Sequence, residues 1–196
     1  MKILALSDTV VDLIYSSWVT ERFADVDLIV GCGDLPAGYL EYVVTKLNVP
    51  LVYVPGNHDA DNYRVPGGLN IDGRVERIAG MRVAGLGGSR RYKSDGRHQY
   101  TEREMFYRVA RLLLTVRARH RGLDVFVTHS PPRGVHDAQD LTHQGFEAFH
   151  RLLQVARPRL MLHGHVHAHP NLAVKETELY ETLVVNVYPY HVVGWT

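Results

Sequence analysis

Two short runs of the sequence carry side chains that commonly bind metal ions. Residues 56–59 read Gly-Asn-His-Asp, and residues 164–167 read Gly-His-Val-His. Each run closely follows an apolar stretch that is typical of a β-strand. Amide, imidazole and carboxylate groups are hard or borderline ligands, which suit manganese, iron or zinc rather than a thiolate site. The two runs therefore predict a metal centre that is built from loops.

Three more candidate ligands stand at the ends of apolar runs. Asp8 ends the first of these runs, Asp34 follows Gly33, and His129 follows Thr128. In layered α/β proteins, the loops at the carboxyl ends of parallel strands converge on one crevice. One crevice could therefore collect all of the candidate metal ligands, which are Asp8, Asp34, Asn57, His129, His165 and His167.

Each of these residues also has an ordinary structural explanation. An aspartate after a first strand is often a helix cap, Gly-Asp is a common turn dipeptide, and a histidine can simply end a strand. His165 and His167 could be two exposed loop histidines. The run at residues 56–59 is more specific, because neither a turn nor a core requires the Asn-His pair. Because all five motifs occur in order at strand ends, coincidence explains the whole set poorly.

The ordered set of motifs resembles that of the calcineurin-like metallophosphoesterase superfamily, and the resemblance extends over nearly the whole chain. It implies an α/β fold in which two mixed β-sheets stack between flanking helices, as a four-layer αββα sandwich. It also implies a cofactor of two divalent transition metals, chosen from Mn, Fe, Zn and Ni, with Mn favoured. Asp34 matches the family's bridging aspartate, whose two oxygens can each face one metal. By the same matching, one metal would be bound by Asp8 and His167, and the other by Asn57, His129 and His165.

The resemblance further implies a reaction at phosphorus. Two neighbouring cations can clamp the attacking and leaving oxygens of a displacement, and a bound metal can lower the pKa of water to about 7. A hydroxide between the two metals would then attack the phosphorus directly, without a covalent enzyme intermediate. His58 matches the family's catalytic histidine, which contacts the phosphoryl oxygen and can protonate the leaving alkoxide. Histidine suits this task because its pKa lies near working pH.

One departure from the family pattern concerns the first metal position. The family usually has a histidine two residues after the first aspartate, but this chain has Val10 two residues after Asp8. Valine cannot bind a metal, so the position of Asp8 and His167 loses one protein ligand. We expect this position to bind its metal more weakly than the other one. Asp12, Thr9 or additional water could replace the missing ligand.

Two further departures bear on the substrate. Some family members carry a second aspartate three residues after that of the Gly-Asp pair, where this chain has Ala37. Pro55 stands where Ser/Thr protein phosphatases carry an arginine. Both features point away from protein phosphatases and towards small bacterial and archaeal members, several of which are phosphodiesterases. We therefore expect a phosphoric ester hydrolase that acts on a small phosphodiester, with a phosphomonoesterase as an alternative.

Three residues in a turn-prone region are candidates for binding the substrate. Arg90 and Arg91 could pair with phosphate in a bidentate manner, and Tyr92 could stack on a base. Alternatively, the two arginines are solvated side chains on a mobile loop. Among the histidines without an assigned role, His143 and His169 are expected to lie nearest the site.

The composition is that of an ordinary globular enzyme. The 196 residues fit a single domain over residues 1–196, 45% of them are hydrophobic, and the formal net charge is +1. This charge argues against an obligate nucleic-acid binder or a membrane-surface protein, and no apolar run is long enough to span a membrane. We expect a cytoplasmic protein, because the single cysteine, Cys32, excludes an internal disulfide and the first residues have no signal-peptide pattern. The oligomeric state does not follow from the sequence.

A rival interpretation from a different class is a non-catalytic scaffold that keeps the fold and a partial metal site and binds a protein partner. Val10 favours this interpretation, whereas His58 and the six candidate ligands favour an enzyme. A nuclease is a third interpretation. It would require a basic stripe with aromatic platforms, which the net charge does not support.

Hydrophobic periodicity predicts strands and helices in alternation. Residues 3–54 predict a βαβαβ unit with parallel strands, in which residues 11–23 form the first helix. Residues 75–86 predict a hairpin, residues 87–99 a loop, and residues 102–119 a helix capped by Thr101. The later elements are a helix at 145–156 and strands at 124–128, 159–163, 172–175, 178–180 and 183–187.

Overall fold

The structure, a computed structural model, describes residues 1–120, 122–167 and 175–195. Two large mixed β-sheets lie face to face, and helices pack on their outer faces. The predicted four-layer αββα sandwich is therefore confirmed. No helix among the described residues is long and apolar enough to cross a membrane.

The first sheet contains the parallel strands of the predicted βαβαβ unit and has the strand order β13-β1-β2-β3-β4. Neighbouring strands from β1 to β4 pair in parallel, and β13 pairs antiparallel to β1. Its strands are β1 (Lys2–Leu6), β2 (Leu28–Gly31), β3 (Leu51–Tyr53), β4 (Gly68–Asn70) and β13 (Tyr190–Gly194).

The second sheet has the strand order β11-β12-β10-β9-β6-β5. The predicted hairpin of β5 and β6 forms one edge, β6, β9, β10 and β12 run parallel, and β11 closes the other edge antiparallel to β12. Its strands are β5 (Val75–Ile78), β6 (Met81–Leu86), β9 (Val125–Thr128), β10 (Leu160–His163), β11 (Glu176–Leu179) and β12 (Thr182–Asn186).

Alternation along β1 explains how the sheets divide the core. Ile3 and Ala5 point between the two sheets, where they meet side chains such as Val125 and Leu162 of the second sheet. Leu4 points to the opposite face and packs in the cluster beneath the helices of the first sheet. Successive side chains of a strand face opposite ways, so an apolar run without polar breaks is what a strand covered on both faces requires.

The α-helices of the described residues cover the outer faces. The second helix packs on the first sheet, and the third and fourth pack side by side on the second sheet. Thr101 caps the third helix as predicted, in a capping box in which its hydroxyl accepts from the backbone N–H of Glu104. The helices are α1 (Val19–Arg22), α2 (Ala37–Leu47), α3 (Glu102–Thr115), which continues into a π-helical turn (Val116–His120), and α4 (Glu147–Ala156).

The prediction of a helix over residues 11–23 is wrong. Only α1, Val19–Arg22, is helical there, and residues 11–18 form turns. Two hydroxyl side chains bond to backbone carbonyls in this region: Ser16 donates to the carbonyl of Leu13 at 2.8 Å, and Thr20 donates to that of Ser17 at 3.1 Å. Such local bonds offer the backbone an alternative to a regular helix.

The predicted loop at residues 87–99 contains part of a small strand pair. β7 (Ser89–Arg90) pairs in parallel with β8 (Gln99–Tyr100). The short strands β4 and β13 were not predicted, because neither has a strong apolar period. Most of the predicted strand at 172–175, and His169, lie outside the described residues.

Candidate metal centre

The candidate ligands stand where strands end. Asp8 follows β1, Asp34 follows β2 and Asn57 follows β3 in the first sheet, whereas His129 follows β9 and His165 follows β10 in the second. All five strands belong to the parallel parts of the two sheets. Their carboxyl ends meet at one edge of the sandwich, which is the physical reason that residues so far apart in the sequence come together.

Asp34, His129 and His165 form the tightest group. Their ligand atoms all lie within 4.8 Å of one another. The Nε2 atom of His129 is 3.2 Å from Oδ2 of Asp34 and 3.1 Å from Oδ1 of Asn57. The structure therefore brings together four of the six candidate ligands around one point.

Asp8 and His167 form a second pair at the same site. Nε2 of His167 is 3.5 Å from Oδ1 of Asp8, and the His167 ring stacks on Tyr188 with 4.3 Å between the ring centroids. Burial raises the pKa of Asp8, but the hydrogen bond from His167 and the charge of His129 outweigh burial and lower that pKa to about 2. The same bond raises the pKa of His167.

Three candidate ligands have left-handed backbone conformations. The φ angle is 64° at Asp8, 56° at Asp34 and 67° at His165. Non-glycine residues rarely adopt this conformation, and such strain tends to gather at functional sites. The surrounding hydrogen bonds hold it in place: the N–H of Asp8 donates to the carbonyl of Gly33, and the N–H of His165 donates to the Asp8 carboxylate.

The glycines of the two motifs are required by close approach. A Cβ atom at Gly56 would collide with the Asp34 carboxylate, and one at Gly164 would collide with the hydroxyl of Ser7. Each glycine therefore lets a ligand-bearing loop lie directly against another one. This packing explains why Gly56 and Gly164 belong to the motifs although neither has a side chain to bind metal.

Asp59, the last residue of the first motif, joins two of the loops. Its carboxylate accepts hydrogen bonds from the backbone N–H groups of Gly56 at 2.7 Å and of Asp34 at 3.0 Å. Its side chain is almost fully buried, and burial raises its pKa. Asp59 thus joins the backbone at Asp34 to the backbone at Gly56.

The two buried histidines each have one ring nitrogen engaged by a backbone carbonyl. Nδ1 of His129 is 2.7 Å from the carbonyl oxygen of Cys32, and Nε2 of His165 is 2.7 Å from that of Thr142. A carbonyl accepts a hydrogen, so these contacts assign the N–H to those nitrogens and leave the other nitrogen of each ring for a ligand. Backbone or carboxylate partners of this kind are the usual support for metal-binding histidines.

The electrostatics of these two histidines differ although their rings are 4.7 Å apart. Burial lowers the pKa of His129. The negative charge of Asp34 and the hydrogen bond between the two side chains outweigh burial and raise that pKa to about 9. Burial and the neighbouring His129 lower the pKa of His165 to about 4. In chemical terms, one carboxylate, one amide oxygen and two imidazoles are a donor set that fits a divalent transition metal.

A cavity of ≈ 270 Å³ lies at the mouth of this group. His58 is exposed there, and its backbone N–H donates to Oδ1 of Asp34 at 2.8 Å. The ring of His58 has no hydrogen-bond partner among the described residues, so it is available to a ligand. The cavity is lined by Asp8, Asp34, His58, Thr142, His143, His165 and His167.

The expectation that His143 lies near the site agrees with this lining. Its Nδ1 is 2.9 Å from Oδ1 of Asp140, and its ring centroid is 5.2 Å from that of His165. The sequence did not indicate Thr142 or Tyr188, because neither has the residue type of a metal ligand or a predicted partner. The structural role of Asp59 was not predicted either, because the hydrogen-bond partners of its carboxylate include the backbone of the distant Asp34.

The three candidates for substrate binding, Arg90, Arg91 and Tyr92, have different partners in the structure. Tyr92 reaches the site, where its hydroxyl accepts a hydrogen bond of 3.3 Å from Nδ2 of Asn57. Arg90 forms an ion pair with Glu102, and Arg91 forms one with Glu104. Both guanidinium groups therefore have carboxylate partners in the first turn of α3, and their placement gives the proposed phosphate-binding role no support.

Val10 does not line the cavity. Its side chain is half-buried and packs against the apolar cluster between the first sheet and α2. Asp12 is exposed and is not among the described residues that line the cavity, whereas the hydroxyl of Thr9 lies 3.4 Å from that of Tyr188. Neither Thr9 nor Asp12 is among the described residues that line the cavity.

Comparison with known proteins agrees with the fold and the motifs. The family model of the calcineurin-like phosphoesterases matches residues 1–169. The uncharacterized protein MJ1162 of Methanocaldococcus jannaschii is 26% identical over 207 residues, which cover 96% of this chain and 88% of that protein. The crystal structure of TT1561 of Thermus thermophilus superposes with a TM-score of 0.68 at 21% identity, over 95% of this chain and 88% of that one, and shows a shared fold.

The match to the family model covers most of the chain and includes all six candidate ligands. The chain belongs to the calcineurin-like phosphoesterase family, whose metal-dependent members hydrolyse phosphate esters.

Proposed function

We propose that this protein hydrolyses small phosphodiesters in the cavity beside Asp34 and His58. One observation carries the proposal: the ligand atoms of Asp34, His129 and His165 converge within 4.8 Å, and Asp34 and His165 line the same cavity as the exposed ring of His58. A metal-binding group and a free imidazole at one cavity are the two parts that ester hydrolysis at phosphorus needs.

The cofactor would be two divalent transition metals, with Mn favoured. Asn57, His129 and His165 would hold one of them, Asp8 and His167 the other, and the Asp34 carboxylate would serve both. Bound metals of this kind supply positive charge for the phosphate oxygens and lower the pKa of water. The rigid support of Asp34 by Asp59 keeps the shared ligand in place.

His58 would act as the general acid. Its backbone N–H is anchored on Asp34, which places the imidazole at the rim of the cavity, and the ring is exposed and unpaired among the described residues. A proton from this ring would pass to the oxygen of the leaving alcohol as the bond from phosphorus to that oxygen breaks. The attacking oxygen ends on the phosphate product, so the reaction consumes one water per ester.

The charge of the cavity favours a diester. A phosphomonoester carries nearly two negative charges at neutral pH, whereas a diester carries one. No arginine or lysine lines the cavity within the part of the chain that the structure describes, and Arg90 and Arg91 are paired elsewhere. A site without extra cations offers little additional stabilisation to the second charge of a monoester.

The experiment is a substrate panel with defined metals. Protein stripped with a chelator is supplied with Mn, Fe, Zn or Ni and assayed with bis-p-nitrophenyl phosphate, p-nitrophenyl phosphate and cyclic nucleotides. We expect turnover only after metal is added, and a higher kcat/KM for the diester at matched metal. A clear preference for the monoester contradicts the diester proposal, and full turnover without metal contradicts the metal assignment. Absence of turnover with every metal favours the scaffold alternative.

A further inference from the structure

The side-chain amide of Asn57 contacts His129 with its oxygen and Tyr92 with its nitrogen. Its Oδ1 faces Nε2 of His129 at 3.1 Å, and its Nδ2 donates to the hydroxyl oxygen of Tyr92 at 3.3 Å. Among the described residues, this tyrosine is the one hydrogen-bond acceptor of the Asn57 NH2 group. The two ends of the amide are chemically different, so the partner of each end decides which way the group faces.

Tyr92 is itself held by a buried glutamine. Oε1 of Gln99 accepts from the backbone N–H of Tyr92 at 3.2 Å and from that of Lys93 at 3.1 Å. Gln99 belongs to β8, and its side chain is nearly inaccessible to solvent. Gly96 packs so closely that a Cβ atom there would collide with the Gln99 amide. The loop therefore wraps around Gln99 and presents Tyr92 at a fixed position.

The direction of the amide matters for a metal ligand. An amide binds a cation through its oxygen, and its NH2 group must then point away from the cation and find an acceptor. The Tyr92 hydroxyl stands at that place, and burial makes an unpaired NH2 group costly. Asn57 is almost fully buried, with 6% of its surface exposed, so water is a poor substitute for the tyrosine.

We propose that Tyr92 is a positioning residue for Asn57: it accepts the amide hydrogen and thereby keeps the Asn57 oxygen directed at the metal position beside His129. This role rests on the metal assignment of the proposed function. It differs from stacking on a base, because stacking uses the tyrosine ring, whereas positioning uses the hydroxyl. Gln99 supports the role by fixing the backbone of Tyr92.

Tyr92→Phe separates the two roles, since it keeps the ring and removes the acceptor. Metal-free protein is titrated with Mn²⁺ in a calorimeter. We expect the affinity of one of the two positions to fall by roughly 10–100-fold, the usual effect of removing a partner that supports a metal ligand. The matched control is Tyr107→Phe, which removes an exposed hydroxyl on α3 whose partner is Arg103; its Mn²⁺ affinities should equal those of the parent.

A double-mutant cycle tests whether the effect passes through Asn57. In the Asn57→Ala background there is no amide to orient, so Tyr92→Phe should cause no further loss of Mn²⁺ affinity. Unchanged affinity in Tyr92→Phe, or an equal loss in both backgrounds, overturns the positioning role. The titration does not depend on turnover. A parent protein that binds Mn²⁺ tightly but cleaves no ester would contradict the proposed function while the cycle still decides the role of Tyr92.

Discussion

The backbone N–H of His165 donates a hydrogen bond of 2.9 Å to the carboxylate of Asp8. Asp8 follows the first strand of one sheet and His165 follows a strand of the other, so this bond ties the two sheets together across the cavity. Gly164 packs closely against Ser7 next to this hydrogen bond. The candidate ligands of the two sheets are therefore held relative to one another by the protein's own hydrogen bonds.

His58 gives the most direct prediction about catalysis. His58→Ala should lower the turnover of bis-p-nitrophenyl phosphate by roughly 10²–10⁴-fold, the scale of a general acid, because the ring lines the cavity and has no structural hydrogen bond among the described residues. Metal content, measured by elemental analysis, should stay as in the parent. The control is His191→Ala, which removes a histidine paired with Glu176 and should leave turnover unchanged. An active His58→Ala protein would exclude the acid role.

Asp59 gives a prediction about stability. Asp59→Ala should lower the free energy of unfolding by about 2–5 kcal/mol, because the backbone N–H groups of Gly56 and Asp34 lose a charged acceptor in a buried place. Asp59→Asn keeps one side-chain oxygen that can accept both bonds, so its loss should be smaller. Urea unfolding of the metal-free proteins measures both variants. Equal losses would mean that the carboxylate acts through its volume and not through these bonds.

The positions of the candidate ligands could be predicted from the sequence, because a strand end is a local feature. An apolar run shows where the strand stops, and Asp8, Asp34 and His129 stand at such places. The contacts that orient these ligands are not local. Thr142 reaches His165 through the path of a long loop, and Tyr92 reaches Asn57 through its attachment to Gln99. Neither contact could be predicted from the type of the residues or from the hydrophobic periodicity of the sequence.

The error at residues 11–18 has a related cause. The apolar residues there have nearly helical spacing, and Ile14 is indeed buried, as is Val19 at the start of α1. The backbone nevertheless forms turns, because burial of two side chains does not require a continuous helix, and Ser16 offers its backbone another bond. Apolar spacing alone therefore did not determine the backbone conformation of this segment.

Asp8 gives a prediction about acid stability. Its pKa of about 2 in the folded protein lies below the ordinary 3.8, so it stabilises the fold above pH 3.8, and this contribution is lost as the pH falls towards 2. The full contribution is about 2 kcal/mol, of which about 1 kcal/mol is lost by pH 3. The free energy of unfolding of the metal-free parent and of Asp8→Asn is measured with urea at pH 5 and pH 3. The difference between the two proteins should be smaller at pH 3. If the difference in free energy of unfolding did not change with pH, the lowered pKa of Asp8 would be ruled out.

The two proposed metal positions should differ in affinity. His129 and His165 are buried and held by backbone carbonyls. The side chain of His167 is 59% exposed, and among the described residues its position would have Asp8 and the shared Asp34 as the other protein ligands. Each missing imidazole leaves water to complete the coordination shell. Calorimetric titration with Mn²⁺ should therefore resolve a tighter and a weaker site, and activity should rise as the weaker one fills. Two equally tight sites would imply that another residue completes the Asp8 position.

Restoring the family's residue with Val10→His should not tighten the weaker site. The side chain at position 10 packs against the apolar cluster between the first sheet and α2 and does not line the cavity, so a new imidazole would meet apolar partners in place of the metal. Placing a polar ring there should also lower the free energy of unfolding by roughly 1–3 kcal/mol. Val10→Leu controls for side-chain size, because it changes the volume without adding a polar group. Calorimetry and urea unfolding of both variants provide the measurement. An affinity of the weaker site close to that of the stronger one in Val10→His would contradict this prediction. The backbone after Asp8 would then have to turn position 10 into the cavity when metal binds. The packing of Val10 against the apolar cluster would in that case hold for the metal-free protein only.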